Sequence, residues 1–207
     1  MENAPCACLK YATRAWQRVD HMAEFSLESI IVATSQTIDF SLQAQGCPLH
    51  NFMPVPGAME IRDVLLRIFT KLVSFLQIAL TTYTCTAMTT MPADHPFTAA
   101  LERSGPCSSH HLACGRGQEK RAGGGVACKP SRMTLGVYEL SDGESRYLAL
   151  DMICRSLRNI AHAVQQMDSG DNTDIRKADS PVLTLLFRVT ELLESATAHL
   201  HDRKTSL

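Results

Sequence analysis

Residues 61–80 form the longest apolar stretch of the sequence, and they constrain the fold more than any other segment. Their apolar side chains recur at the three- and four-residue spacing of an α-helix, which predicts a helix over residues 58–83. Apolar residues cover so much of this helix that most of its surface has to be buried. Charges inside a membrane span are costly, and the stretch contains Arg62, Asp63, Arg67 and Lys71. We therefore expect the central helix of a soluble core, not a membrane span.

Four further segments carry helical patterns or helix-boundary signals. The first covers residues 5–22 with weak periodicity, and the second begins at Ser26, whose hydroxyl suits an N-cap. The next begins where Ser141 and Glu144 show the spacing of a capping box. The last begins at Pro181, a residue type favoured in the first turn of a helix. Because no strand pair is evident, the sequence predicts an all-α fold, an irregular bundle of about five helices.

A long polar segment separates the two helical parts. Residues 86–132 are rich in Gly, Ser, Pro, Ala and Thr and show no periodicity. Connections in compact domains are usually much shorter, and this segment has too few large apolar residues to form a core. It is interpreted as a long disordered linker that interrupts the bundle. The predicted organisation is a first helical half at 1–85, a flexible linker at 86–132 and a second helical half at 133–207.

The apolar faces of two helices lead to specific expectations about burial. In the second helix, one stripe is expected to face the core, formed by Leu27, Ile31, Ile38 and Leu42. For the last helix two interpretations stay open: its apolar face belongs to the core, or part of it stays unburied and contacts a partner protein. The residues assigned to this interaction surface are Leu185, Val189, Leu192, Leu193 and Leu200.

Charge and motif content argue against several classes of function. The chain has 20 Lys and Arg residues against 21 Asp and Glu residues, so no excess positive charge attracts the phosphates of nucleic acids. It contains no nucleophile elbow, no metalloprotease motif and no phosphate-binding loop. Acid pairs such as Asp142 and Glu144 stand at helix starts or exposed positions, where capping and solvation explain them. We therefore predict that the chain is not an enzyme and uses no cofactor.

The cysteines are expected to be reduced thiols. The chain has eight, and its first residues include Glu2 and no basic run, so no secretory signal is expected. One cluster in the predicted linker has side chains suited to zinc, formed by Cys107, His110, His111 and Cys114, with Cys128 nearby. Adjacent histidines do not easily bind one ion, and the spacing matches no common zinc finger. The prediction is therefore that the chain has no metal site.

Two stretches carry a resemblance to a known family. Residues 133–145 read MTLGVYELSDGES and lead into the fourth helix, while residues 29–45 are followed by Gly46, Cys47 and Pro48 and then by the apolar helix. In order and spacing, over most of residues 25–85 and 133–200, they resemble the C-terminal regulatory region of aflatoxin-regulator-type fungal transcription factors. In that family a low-complexity interval also separates the two parts.

The resemblance implies a regulator of a fungal secondary-metabolite biosynthetic gene cluster that works in the nucleus. Proteins of this type read DNA through an N-terminal cluster of six cysteines and two zinc ions. This sequence lacks that unit, since Cys6 and Cys8 have the wrong spacing, which argues against direct DNA binding. A fragment, a split gene and an incomplete gene model all account for the missing cluster. The expected function is transcriptional regulation or co-regulation through protein contacts, with no membrane involved. The expected partner is a DNA-binding regulator or a second copy of the chain.

A second hypothesis belongs to a different class of function. It is a small-molecule-binding helical domain without catalysis, with its ligand pocket between the third and fifth helices. A ligand that binds only the folded chain raises the melting temperature by mass action. Thermal shifts with metabolites of the pathway therefore distinguish this hypothesis from the first.

The expected absence of zinc leads to a direct measurement. We expect the zinc content per purified chain to be near zero, and we expect a chelator to leave the far-ultraviolet circular dichroism unchanged. If Cys107, His110 and Cys114 bound a structural zinc ion, the metal would contribute to folding, and the chelator would reduce the helical signal.

Overall fold

A computed structural model describes residues 7–47, 56–85, 126–131, 133–168 and 180–201. These residues form five α-helices and two small two-stranded sheets, which confirms the expected all-α bundle of about five helices. The helices are α1 (Cys8–Asp20), α2 (Leu27–Gln45), α3 (Pro56–Cys85), α4 (Asp142–Asp168) and α5 (Pro181–His201). The strands are β1 (Glu24–Ser26), β2 (Ala127–Lys129), β3 (Thr134–Leu135) and β4 (Tyr138–Glu139).

Helix α3 is the centre of the bundle. It contacts all four other helices and also β2. Its large apolar side chains are almost completely excluded from solvent, among them Ile68, Phe69, Leu72, Val73 and Leu76. By length and composition the part from Glu60 to Cys85 would suffice to cross a membrane, and 56% of its apolar 18-residue window is buried inside the protein. Such burial is typical of the central helix of a helical core, as expected from the sequence.

The face that helix α2 turns to the core matches the expected stripe only in part. Leu27 is buried, and Ile31 and Ile38 pack partly buried against the core, whereas Leu42 is exposed. The fully buried positions are Leu27, Ile30, Thr34, Thr37, Ser41 and Ala44. Small residues at most of these positions suit close packing against α3 and α4, both of which α2 contacts. The Thr37 and Ser41 hydroxyls donate within the helix to the carbonyl oxygens of Ala33 and Ile38, each at 2.8 Å, whereas the buried Thr34 hydroxyl has no hydrogen-bond partner among the described residues.

Part of the predicted linker belongs to the folded structure. Residues 127–129 form β2, which pairs in parallel with β1, so that Phe25 lies opposite Cys128. The expectation that no strand pair forms was wrong, because strands of three residues are too short to show an alternating pattern. Residues 86–125 and residue 132 of the predicted linker lie outside the described residues.

Side-chain contacts hold β2 against the C-terminal end of α3. The backbone amide of Ser131 donates to the hydroxyl of Tyr83 at 3.4 Å, and Tyr83 itself is buried. Burial raises the pKa of the Cys128 thiol, and a hydrogen bond with the Thr82 side chain offsets part of this shift. The thiol is therefore protonated at neutral pH and acts as a packing group of the fold.

The central position of α3 leads to a prediction about stability. Phe75 of α3 is 1% exposed, and its ring centroid lies 4.9 Å from that of Phe25. Replacing Phe75 with alanine leaves a cavity, so we expect the free energy of unfolding to fall by about 3–5 kcal/mol. The matched control is Phe187→Ala, because Phe187 is 66% exposed and its loss costs less than about 0.5 kcal/mol.

Urea denaturation followed by circular dichroism measures both variants. Equal destabilisation by Phe75→Ala and Phe187→Ala would contradict the placement of α3 at the centre of the core.

Candidate interaction surface

A short β-hairpin precedes α4. Strands β3 and β4 pair antiparallel, and a loop of two residues, Gly136 and Val137, joins them. Gly136 has a φ of +64°, whereas Val137 does not have a positive φ. Glycine with positive φ at the first loop position is the feature of a type II′ turn, whose twist matches that of a hairpin. At the base, the amide of Leu140 donates to the carbonyl oxygen of Met133 at 3.0 Å.

This hairpin exposes large apolar side chains. Leu135 is 66% exposed, and Val137 and Tyr138 are exposed even more fully. None of the three packs against the core cluster of the described residues. Single exposed hydrophobic residues are common on protein surfaces, but several in one short, ordered element indicate a contact surface. We call Leu135, Val137 and Tyr138 the hairpin surface.

A capping box fixes the direction in which the hairpin leaves α4. The Ser141 hydroxyl and the Ser141 amide donate to Glu144 Oε2 at 2.6 and 2.9 Å, and the Glu144 amide donates to Ser141 Oγ at 3.4 Å. The capping box expected from the sequence is thereby confirmed. The bonds from Ser141 hold the pKa of the Glu144 carboxyl below its usual value. The charged cap is therefore complete at neutral pH and is lost as the pH falls through that lowered pKa.

The residues of the interaction surface expected on the last helix lie in the core or against it. Leu185, Val189 and Leu192 are buried in the core, while Leu193 and Leu200 are partly buried against it. Helix α5 packs along α4 and also contacts α3, and this packing covers the stripe. The alternative interpretation, in which these residues are core, is the one that the burial supports. The large apolar side chains that α5 leaves exposed are Leu183 and Phe187.

A groove runs along the exposed polar residues of α3, between α1 and the start of α5. Its volume is about 390 Å³. The residues that line it are Trp16, Asp63, Leu66, Arg67, Thr70, Lys71, Ser74 and Pro181. A pocket between the third and fifth helices was expected under the small-molecule hypothesis. The groove lies on α3 and touches α5 at Pro181, and Trp16 of α1 forms part of its lining.

Metal-binding side chains do not cluster in the part of the chain that the structure describes. No group of three or more His, Cys, Asp or Glu residues there is arranged to hold a metal ion. Of the residues considered for zinc, Cys107, His110, His111 and Cys114 lie outside the described residues, and Cys128 belongs to β2. Burial raises the pKa of the Cys154 thiol in α4, which keeps that thiol protonated as well.

A protein of Penicillium crustosum is similar to this chain along almost its whole length. It is named clavatol biosynthesis cluster protein B, and the two are 38% identical over 211 aligned residues. The alignment covers 94% of each chain, so the similarity includes both helical parts and the segment between them. No family model and no solved structure matches the chain.

The same substitution in the buried face of α5 and in the exposed hairpin is expected to change the free energy of unfolding by different amounts. Leu185 is 3% exposed, so we expect Leu185→Ala to lower the free energy of unfolding by about 2–5 kcal/mol. Leu135 is 66% exposed, so the same change there is expected to alter this free energy by less than about 0.5 kcal/mol. Denaturant titration measures both. A strongly destabilised Leu135→Ala variant would show that the hairpin is part of the core.

Proposed function

Because this chain belongs to the family of clavatol biosynthesis cluster protein B, a fungal secondary-metabolism protein, we propose that it regulates transcription of a secondary-metabolite biosynthetic gene cluster. It acts as a regulator or co-regulator through protein contacts, without a DNA reader of its own. Its partner is a DNA-binding regulator or a second copy of the chain, and its place of action is the nucleus. The resemblance of residues 133–145 to aflatoxin-regulator-type transcription factors supports the regulatory role.

The hairpin surface is the observation that carries this proposal. It lies inside the segment that carries the resemblance, and it has no packing role among the described residues. Tyrosine is enriched at protein interfaces, and the exposed Tyr138 is joined by a second exposed tyrosine, Tyr147, near the start of α4. Among the described residues β3 and β4 pair only with each other, so each strand keeps one edge for a strand of the partner.

The charges around the hairpin favour a protein partner over DNA. Glu139, Asp142 and Glu144 lie in or directly after β4, and all three are exposed. Carboxylates at this position repel the phosphate backbone of a nucleic acid. A protein partner covers the apolar hairpin surface instead and leaves these carboxylates in solvent at the rim, as in ordinary interfaces.

The groove on α3 favours a second candidate function. A volume of about 390 Å³ falls within the range of small-molecule sites, which is about 300–1,000 Å³. A small-molecule-binding helical domain without catalysis is compatible with the regulatory role, because one chain can carry both surfaces. Thermal shifts with metabolites of the pathway test this candidate independently of transcription.

The regulatory role is tested in a deletion strain. We expect deletion to lower transcripts of one biosynthetic cluster, because the partner then lacks its co-regulator. The wild-type chain restores them, whereas a chain with Leu135, Val137 and Tyr138 all replaced by serine does not. Leu183→Ser with Phe187→Ser is the matched control, since it removes exposed apolar side chains elsewhere, and it is expected to restore the transcripts.

Quantitative reverse-transcription measurements give the transcript levels, and immunoblots confirm equal amounts of each variant. Unchanged transcripts in the deletion strain would contradict the regulatory role. Full rescue by the serine variant of the hairpin would contradict the assignment of the contact to the hairpin surface.

A further inference from the structure

The groove on α3 is formed by the one stripe of that helix which the bundle does not cover. The exposed positions of α3 recur every three or four residues, as at Asp63, Arg67 and Thr70, and they form a narrow polar line on an otherwise buried helix. Helix α1 borders this line with Trp16, and the start of α5 borders it with Pro181. The result is a concave strip that is large enough for a molecule of about one aromatic ring with substituents.

The floor of the groove contains two hydroxyl residues, Thr70 and Ser74, but their hydroxyl groups already form hydrogen bonds within α3. The Thr70 hydroxyl donates to the carbonyl oxygen of Leu66 at 2.8 Å, and the Ser74 hydroxyl donates to the carbonyl oxygen of Thr70 at 2.9 Å. Both hydroxyl protons are therefore used inside the helix and do not require water or ligand. Leu66, one helical turn before Thr70, also lines the groove with the small part of its apolar side chain that is exposed. This floor suits the face of an apolar ring.

The wall contributed by α1 is aromatic. Trp16 is partly buried against the core and lines the groove with part of its surface. Its indole N–H donates to no residue that the structure describes. Aromatic rings gain stacking energy on tryptophan beyond that from the burial of area. A planar aromatic ligand therefore fits this wall better than an aliphatic one.

Of the two cationic side chains in the groove, one already has an ion-pair partner within the fold. Lys71 Nζ lies 3.5 Å from Asp20 Oδ1, so its charge is already balanced within the fold. Arg67 forms no ion pair or hydrogen bond with any described residue, although Asp63 stands one helical turn before it. An arginine guanidinium binds a carboxylate through two parallel hydrogen bonds. The carboxylate of Asp63 in turn accepts a hydrogen bond from a hydroxyl group.

We propose that this groove binds a small phenolic acid. The aromatic ring packs between Trp16 and Leu66, the carboxylate of the ligand pairs with the Arg67 guanidinium, and a ring hydroxyl donates to Asp63. The inference rests on the second candidate function and names its ligand class, and it is independent of the regulatory role, because it uses a different surface of the chain from the hairpin. If the groove does not bind a phenolic acid, the proposed protein contact at the hairpin surface is unaffected, and the reverse also holds.

The single tryptophan of the chain makes the test direct. Trp16 is the only tryptophan in the sequence, so the intrinsic fluorescence of the full chain reports on the groove. The probe is 3-hydroxybenzoate, with N-acetyltryptophanamide titrated in parallel to correct for absorbance by the probe. We expect a saturable change in Trp16 fluorescence. Benzylamine, which has the ring but the opposite charge, is expected to give none.

Two arginine variants locate the site. Because a hydrogen bond to a charged group contributes about 1.5–3 kcal/mol, Arg67→Gln is expected to weaken binding about tenfold or more. Arg18→Gln removes the same charge from the exposed face of α1 and is expected to leave binding unchanged. Arg67→Lys keeps the charge without the paired donors, and its affinity is expected to lie between those of wild type and Arg67→Gln.

A third variant tests the hydroxyl contact. Wild type is expected to bind 3-hydroxybenzoate more tightly than benzoate, and Asp63→Asn is expected to reduce this preference. Arg67, Asp63 and Arg18 are all exposed, and a thermal melt of each variant confirms that it is folded. No saturable change with 3-hydroxybenzoate, equal binding by Arg67→Gln and wild type, or equal binding of benzylamine would each overturn the proposal.

Discussion

The burial of the apolar surface of α3 is the constraint on which the rest of the structure depends. A helix with so much apolar surface has to be surrounded, and α1, α2, α4, α5 and β2 together surround it. The Phe25 and Phe75 rings join β1 to the middle of α3, and the contact between Ser131 and Tyr83 joins β2 to its C-terminal end. Both helical parts of the chain are needed for this, so the two predicted halves build one core around α3.

The groove on α3 and the hairpin surface are the two candidate surfaces that the packing around α3 does not cover. The polar stripe of α3 is the line that α1 and α5 border but do not cover, and it becomes the groove. The hairpin is held by a type II′ turn at one end and by the Ser141–Glu144 capping box at the other, and the described core does not require it. Under the proposed regulation of transcription, a partner protein would cover the apolar side chains of this element, which have no packing role among the described residues.

Much of the fold was predictable, because helix periodicity and helix starts are local properties of the sequence. The central position of α3, the N-cap Ser26, the capping box at Ser141 and the start of α5 at Pro181 are each encoded within a few residues. The buried face of α2 was predicted only in part, because Thr34, Thr37 and Ser41 occupy core positions that the pattern of apolar residues does not mark. The pairing of β1 with β2 joins residues far apart in the chain and leaves no local pattern. A pocket between the third and fifth helices was expected, but the contribution of Trp16 to the groove was not, because Trp16 and Arg67 come together only through the packing of α1 on α3.

Native-state amide hydrogen exchange of the purified chain in detergent-free buffer tests the central position of α3 most directly. Segments at the centre of a core exchange only through global unfolding, whereas peripheral elements exchange through local opening. Among the described residues, the amides of α3 between Ile61 and Tyr83 are expected to exchange most slowly, and those of residues 134–139 are expected to be among the fastest. If the amides of α3 exchanged as rapidly as those of the hairpin, α3 would not organise the core, and the account would be contradicted.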